Sequence, residues 1–352
     1  MKVLLVGHDF DFSAGGGISR YASELYEKLK HMTEVSTVST GSIPRPLRAF
    51  MPVPAWGYDV VHVIYPDVAR VIKGNAKMVT MWHDLMMIKK YSSTSQYKHR
   101  PKLAERYNIA SGMIRNWVLA NYTKSEAVIA HTSMVINDVK NYTKSEGVYD
   151  SDKLYRKIPP GLDEKFLKAK VWAGERKDFV YVGDIHMKHK NLDGLLESFN
   201  SVAKESDGAR LHIFTKSPDA EFLLGERLPK LSNLSRGNVI LHVRASDGEI
   251  IEILRRAVAC LHLSREEGFG VPILESMAVG TPVVVLRESH IPKEVTRYAT
   301  KAREDEVHKV VLKLLQKPSQ ASDTAVKYAK SFTWEEAAEK TLAVYKEISK
   351  ES

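Results

Sequence analysis

Two glutamates, Glu267 and Glu275, stand eight positions apart in the segment SREEGFGVPILESMAVGTPVVVL, residues 264–286. A Gly-Phe-Gly turn lies between them, and Pro272 follows it. Proline is favoured in the first helical turn, where its missing N–H costs nothing. The first-turn N–H groups of the helix so predicted, with the backbone of Gly268 and Gly270, would make an anion site. One carboxylate precedes that site and the other lies on the helix just past it. Such an arrangement suits a ligand with a sugar at one end, a diphosphate in the middle and a ribose at the other. The plainer alternative is a loop–helix–strand crossover that binds nothing.

Three other segments carry residues of the right types. In DFDFSAGGGISRYASELYEKL, Gly15 to Gly17 precede a helix expected at about Ile18. Consecutive glycines let a backbone approach a ligand with no Cβ in the way, although a flexible loop is their commoner meaning. Position 20 is Arg20, so the G-x-G-x-x-G dinucleotide fingerprint fails. MWHDLMMIKKY places His83 and Asp84 at the end of a strand, where open α/β sheets bind ligands. His83 could hydrogen-bond a sugar hydroxyl or position an acceptor, or only cap the following turn. Asp84 reads as a helix cap. YVGDIHMKHKNLDGLLESF sets Lys190 just before a helix starting near Asn191, where its point charge could meet a phosphate. A charged turn before a helix is the alternative there.

The string 264–286 resembles the E-x7-E signature of the retaining nucleotide-sugar glycosyltransferases of the GT-B fold, family-4 type. The resemblance implies an α/β chain of two Rossmann-like domains whose parallel sheets face each other across a cleft. It implies transfer of a sugar, with retention of configuration, from a nucleoside diphosphate sugar to an acceptor hydroxyl. Glu275 would then accept hydrogen bonds from the ribose. Glu267 would contact the transferred sugar, together with the backbone of Gly268, Phe269, Gly270 and Val271. Gly16 and Gly17 match the GGI loop that faces the donor phosphates, and His83 matches a histidine directed at the sugar or acceptor. Lys190 would stabilise the departing diphosphate, which makes Glu267, His83 and Lys190 the expected catalytic residues. The family pattern has an arginine directly after the glycine of this loop; this chain has Asp184. One positive charge fewer should weaken transition-state stabilisation unless Lys188, or less plausibly His186, substitutes. Ser289, in RESHIPKEV, is a softer candidate.

The elements that must position these residues are legible as alternating apolar runs and amphipathic stretches. Strands are expected at 2–7, 34–40, 59–65, 77–82 and 127–131, and again at 179–183, 210–215, 238–243, 260–264 and 282–286. Runs of Val, Ile and Leu separated by helices argue parallel sheets buried on both faces. Two series in 352 residues argue two domains, expected at 1–158 on the acceptor side and 159–332 on the donor side. The break falls in IPPGLDEKF, where prolines and a glycine stop any helix. A helix over 333–352, capped by Thr333 with Glu336 three residues on, is expected to pack back toward the first domain. The octapeptide NYTKSEAV at 121–128 returns as NYTKSEGV at 141–148, a single repeat with no functional reading.

Composition narrows the setting. The chain is 43% hydrophobic and 27% charged, and its single cysteine, Cys260, lies in an apolar run as a core residue. That fits a reducing, cytoplasmic setting, and no apolar run reaches the length that spans a bilayer or builds a signal peptide. The net charge of +9 is uneven: eight Lys and Arg stand between Lys89 and Lys124 against one acid, Glu105. This segment, 89–124, could meet an anionic membrane surface or a phosphorylated acceptor, or form only a solvated face. No nucleic-acid motif accompanies it. Asp9-Phe10-Asp11 spells D-x-D, but the two sheet series argue against the metal-dependent glycosyltransferase fold. Asp184, His186 and His189 match no zinc spacing, so no metal or cofactor is expected. The other readings are a nucleotide-sugar epimerase or hydrolase of the same fold, and a non-catalytic nucleotide-sugar-binding protein. The resemblance leaves a glycan, a lipid-linked sugar and a small glycoside open as the acceptor.

Overall fold

The computed structural model describes residues 1–10, 17–43, 52–67, 71–85, 101–206, 208–217, 219–228 and 237–350. The chain divides into two units, Met1–Gly161 with Thr333–Ser352, and Leu162–Phe332.

The strands of the first unit are β1 (Lys2–Gly7), β2 (Glu34–Ser39), β3 (Pro52–Pro54), β4 (Val60–Val63), β5 (Val71–Lys73), β6 (Lys77–Trp82), β7 (Ala127–Ala130) and β8 (Leu154–Lys157). Six of them form a parallel sheet in the order β2-β1-β4-β6-β7-β8, and β3 pairs with β5 separately. Its described helices are α1 (Gly17–Leu29), α2 (Pro101–Lys124) and α3 (Ser133–Ser145). Central strands β4 and β7 are buried along their whole length, which is why they read as unbroken apolar runs. The edge strands β2 and β8 are only partly covered, and β8 (LYRK) is correspondingly polar.

The second unit repeats the plan. Its strands are β9 (Phe179–Val182), β10 (Leu211–Thr215), β11 (Val239–Val243), β12 (Ala259–His262), β13 (Val283–Leu286) and β14 (Thr300–Ala302). They form a second parallel sheet in the order β11-β10-β9-β12-β13-β14. Its helices are α4 (Glu164–Lys168), α5 (Leu192–Glu205), α6 (Ala220–Arg227), α7 (Asp247–Arg256), α8 (Val271–Ala278), α9 (Lys293–Thr296), α10 (Val307–Gln316) and α11 (Asp323–Lys330). One face of the sheet packs Phe179, Tyr181 and Leu211 against Leu195 and Phe199 of α5 and Val311 of α10. The other packs Val180, Cys260 and Val285 against Ile273 and Met277 of α8 and Ala325 of α11. Cys260 is fully buried, and burial pushes its thiol up to about 12.

After Phe332 the chain returns to the first unit as α12 (Trp334–Lys350). Thr333 Oγ1 accepts from the Glu336 N–H at 3.2 Å and starts the helix. Trp334, Ala338, Val344 and Tyr345 then join a core with Leu5, Tyr21, Leu25 and Val79. The Tyr345 hydroxyl meets His62 Nδ1 of β4 at 2.6 Å. The repeated octapeptide also finds a local account. Its two copies end α2 and α3, and in each the serine hydroxyl donates to the tyrosine carbonyl three residues back: Ser125 to Tyr122 at 2.8 Å and Ser145 to Tyr142 at 2.7 Å. Both copies encode a helix terminus.

Gly161 closes the first unit against the start of α12, where a Cβ would lie 2.2 Å from the Trp334 nitrogen. Backbone on both sides leaves no room to yield. Gly161→Ala should therefore lower the unfolding free energy by about 1–3 kcal/mol, measured by urea denaturation.

Candidate active site

In the second sheet the chain runs from β9 outward through β10 to β11, then returns to place β12 on the other side of β9. Such a reversal leaves a crevice outside the carboxyl ends of the two central strands, the usual ligand position in open α/β sheets. The turns leaving β9 and β12 carry Lys190 and Glu267.

Lys190 ends a single 3₁₀ turn, Lys188–Lys190, and Asn191 follows in the left-handed conformation to start α5. The ammonium of Lys190 donates to both carboxylate oxygens of Glu267, at 2.8 and 2.9 Å. His262, in β12, places Nε2 2.9 Å from Glu267 Oε1. His262 Nδ1 is buried without a hydrogen-bond partner, and Nε2 is the ring nitrogen that donates to the carboxylate. Backbone bonds fix the Glu267 loop on both flanks. Arg265 N–H donates to the His189 carbonyl at 2.7 Å, and Glu267 N–H to the His290 carbonyl at 3.1 Å. Glu267 is 7% exposed. Burial alone would raise its pKa, but the His262 hydrogen bond and the Lys190 charge hold the carboxyl well below the usual carboxylate range. Glu267 is an ionised acceptor, unsuited to donate a proton.

Gly268, Phe269 and Gly270 carry the chain from Glu267 into α8. Gly270 has φ 97°, a conformation that glycine adopts without strain, and Val271 and Pro272 begin the helix. The N–H groups of this first turn face outward from the helix end with its positive dipole. Glu275, one turn further, is buried.

The remaining candidates are placed as follows. Lys188 is exposed in the turn before Lys190. Asp184 accepts from His186 Nδ1 at 2.6 Å and from the Ser217 hydroxyl. Burial works to raise the Asp184 pKa, and these hydrogen bonds bring it below the ordinary carboxylate value. Ser289 donates to the Leu286 carbonyl and lines a separate pocket of about 470 Å³ with Arg265, Glu288, Arg303, Glu304 and Asp305.

In the first unit, Gly17 opens α1 with nothing within 4 Å of a Cβ built there; Gly16 lies outside the described residues. His83 follows β6 and is buried, with Nδ1 2.8 Å from His131 Nε2 and Nε2 3.0 Å from the Ile64 carbonyl. Tyr21 packs edge-on to both imidazoles. Burial lowers the pKa of His83 to about 4 and holds that of His131 well below the ordinary imidazole value. Of the basic segment, Lys89, Lys90, Lys98 and Arg100 lie outside the described residues, and Arg115 pairs with Glu146. Among the described residues no cluster of three or more His, Cys, Asp or Glu side chains is placed to hold a metal ion, and no helix is long and apolar enough to cross a membrane.

Sequence reasoning missed His262 and His131. Each is a polar residue in or just after a buried apolar strand, which is the signal that a specific partner must be present.

Two parallel six-stranded Rossmann-like sheets are the architecture of the GT-B fold. Residues 176–317 match the family described as Glycosyl transferases group 1. The MMP alpha-(1->4)-mannosyltransferase of Mycolicibacterium hassiacum is 28% identical over 203 residues, covering 53% of this chain and 47% of that protein. The O-antigen chain mannosyltransferase B of Escherichia coli is 35% identical over 186 residues, covering 50% and 46%. The chain thus spans about half the length of these curated relatives. Among solved structures, sucrose-phosphate synthase from Thermosynechococcus elongatus superposes with a TM-score of 0.68 at 16% identity, covering 100% of both chains. WaaG, a glycosyltransferase involved in lipopolysaccharide biosynthesis, gives 0.65 at 14%, covering 96% and 95%.

Two outcomes check the site's electrostatics. Lys190→Met should cost about 3 kcal/mol of unfolding free energy, because it leaves the buried Glu267 charge with His262 alone. In acid, neutral buried His83 and His131 make stability fall as the pH drops below 6.5 toward 4. Ionised Glu267 contributes stability that is complete above its ordinary value of 4.5 and lost below it. Urea titrations across this range should show that Glu267→Gln flattens only the part below 4.5.

Proposed function

We propose that the protein is a retaining glycosyltransferase that moves a sugar from a nucleoside diphosphate sugar to an acceptor hydroxyl. The observation that carries this reading is the Lys190–Glu267–His262 cluster beside the N-terminus of α8, at the switch point of the second sheet. The diphosphate would lie at the α8 N-terminus, against the Gly268–Val271 backbone and Lys190, with Lys188 as a further contact. Glu275 would take the ribose hydroxyls and Glu267 those of the transferred sugar. His83 would belong to the acceptor side.

In the reaction the bond between the anomeric carbon and the diphosphate oxygen breaks, and the acceptor oxygen bonds to that carbon on the same face. The helix dipole and Lys190 stabilise the negative charge that develops on the diphosphate. Glu267 is too weak a base to take the acceptor proton, so the departing diphosphate, on the same face, receives it. Nothing in this scheme calls on a metal ion. The two curated relatives are named as mannosyltransferases, which puts a mannosyl nucleotide first among donors to try. A membrane-surface acceptor remains a proposal resting on the basic segment 89–124. One observation favours the alternative, sugar-nucleotide binding without transfer: the Asp184 carboxylate stands in the same loop as Lys190.

The test is a thermal shift against GDP, UDP, ADP and their sugars, with and without EDTA. A ligand at a hundred times its Kd should stabilise the fold by about 2.7 kcal/mol. The expected result is a shift with one nucleotide family, indifferent to EDTA and lost in Glu275→Ala. No shift with any of them would overturn the donor assignment.

A further inference from the structure

Asp184 brings a second ionised carboxylate, besides Glu267, to the second unit's site, and it works against an anionic ligand. An ionised carboxylate near a diphosphate repels it unless a proton or cation accompanies the pair. Two shared neighbours show how near it lies. The Tyr181 hydroxyl donates to the Asp184 carbonyl at 3.2 Å, and the charges of Asp184 and Glu267 both act on Tyr181. His189 feels Asp184, Glu267 and Lys190 together.

The carboxylate is locked in place. Its Oδ1 accepts from the Ser217 hydroxyl, from the His186 backbone N–H at 3.3 Å and from His186 Nδ1 at 2.6 Å. The last bond fixes the imidazole with its proton on Nδ1. The His186 side chain is 46% exposed, and Nε2 has no hydrogen-bond partner among the described residues. A ring so held accepts at Nε2 when neutral and donates there when protonated. Only the protonated form both cancels the Asp184 charge and offers a donor to a phosphate oxygen.

We propose that His186, oriented by Asp184, is a ligand of the donor diphosphate and binds it as the imidazolium, so that donor binding takes up a proton. The proposal rests on the reading of this site as one for nucleoside diphosphate sugars. Lys190 cannot serve alone, since both its short contacts go to Glu267. The other titratable or charged groups around His186 are Lys188, His189 and Lys190 of its own loop. Lys216 and Asp219 flank Ser217 after β10, and Glu266 and Glu267 come from the turn after β12. Of these, His189 is the other imidazole of the loop and is the control.

Isothermal titration of the full chain with GDP-mannose and UDP-glucose, between about pH 5.5 and 8.5, tests this. The diphosphate of a sugar nucleotide is a diester and does not itself titrate in that range. The Kd should rise with pH, by up to about tenfold per unit once His186 loses its proton. His186→Gln should bind weakly with no such slope, and His189→Gln should keep it. Asp184→Asn, which retains the hydrogen-bond geometry without the charge, should bind at pH 8 more tightly than the unaltered chain does at pH 8. A slope that survives in His186→Gln, or vanishes in His189→Gln, overturns the assignment. So does an Asp184→Asn variant that gains nothing at pH 8. Failure of either sugar nucleotide to bind at any pH overturns the donor reading itself, and this inference with it.

Discussion

The ion pair between Lys190 and Glu267 is the interaction on which the second unit's site depends. It joins turns leaving β9 and β12, strands that are far apart in the chain and adjacent only because the sheet order reverses between them. A buried carboxylate is costly unless charge and hydrogen bonds compensate it. Lys190 supplies the charge, His262 supplies a second donor, and backbone bonds to His189 and His290 fix the loop that holds the carboxylate. With that loop fixed, Gly270 turns the chain into α8 and the helix N-terminus comes to rest beside the same crevice.

The two units treat titratable groups differently. In the second, charges are kept and paired, so Glu267 is ionised throughout the physiological range. In the first, the equivalent edge of the sheet holds two imidazoles whose charged form burial disfavours: Nδ1 of His83 and Nε2 of His131 lie 2.8 Å apart, and the other nitrogen of each ring faces a main-chain carbonyl. Tyr21 of α1 lies against both, and Trp334 of α12 lies against Tyr21. The returning helix thereby takes part in holding the histidine pair.

Much of this plan was legible before any coordinates. Central strands declared themselves because burial on both faces demands continuous apolar sequence, as in DVVHV, AVIA and PVVVL. Edge strands did not: β8 (LYRK) and β14 (TKA) are half-solvated and carry no apolar signature, so each sheet gained a strand that the pattern omitted. The α8 helix was readable from Gly270 and Pro272, and α12 from Thr333 and Glu336, since capping chemistry is local. His262 was not read as part of the site. Five residues from Glu267 in a buried strand, it looks like any interior polar residue until the turn folds back over it. The octapeptide repeat likewise had no meaning as a motif and acquired one as a helix terminus. Gly16 and most of the basic segment before α2 lie outside the described residues.

The sequence by itself determined the alternation of strands and helices, the division into two α/β units, and the glycine, proline and glutamate spacing around α8. All of these arise from interactions among residues close in the chain. Only the tertiary structure decided that Lys190 closes on Glu267 across 77 residues, that His262 donates to the same carboxylate, and that Asp184 engages His186 and Ser217. Charge pairing of this kind depends on which strands become neighbours. Sheet order is set by the packing of whole elements, and no local pattern records it.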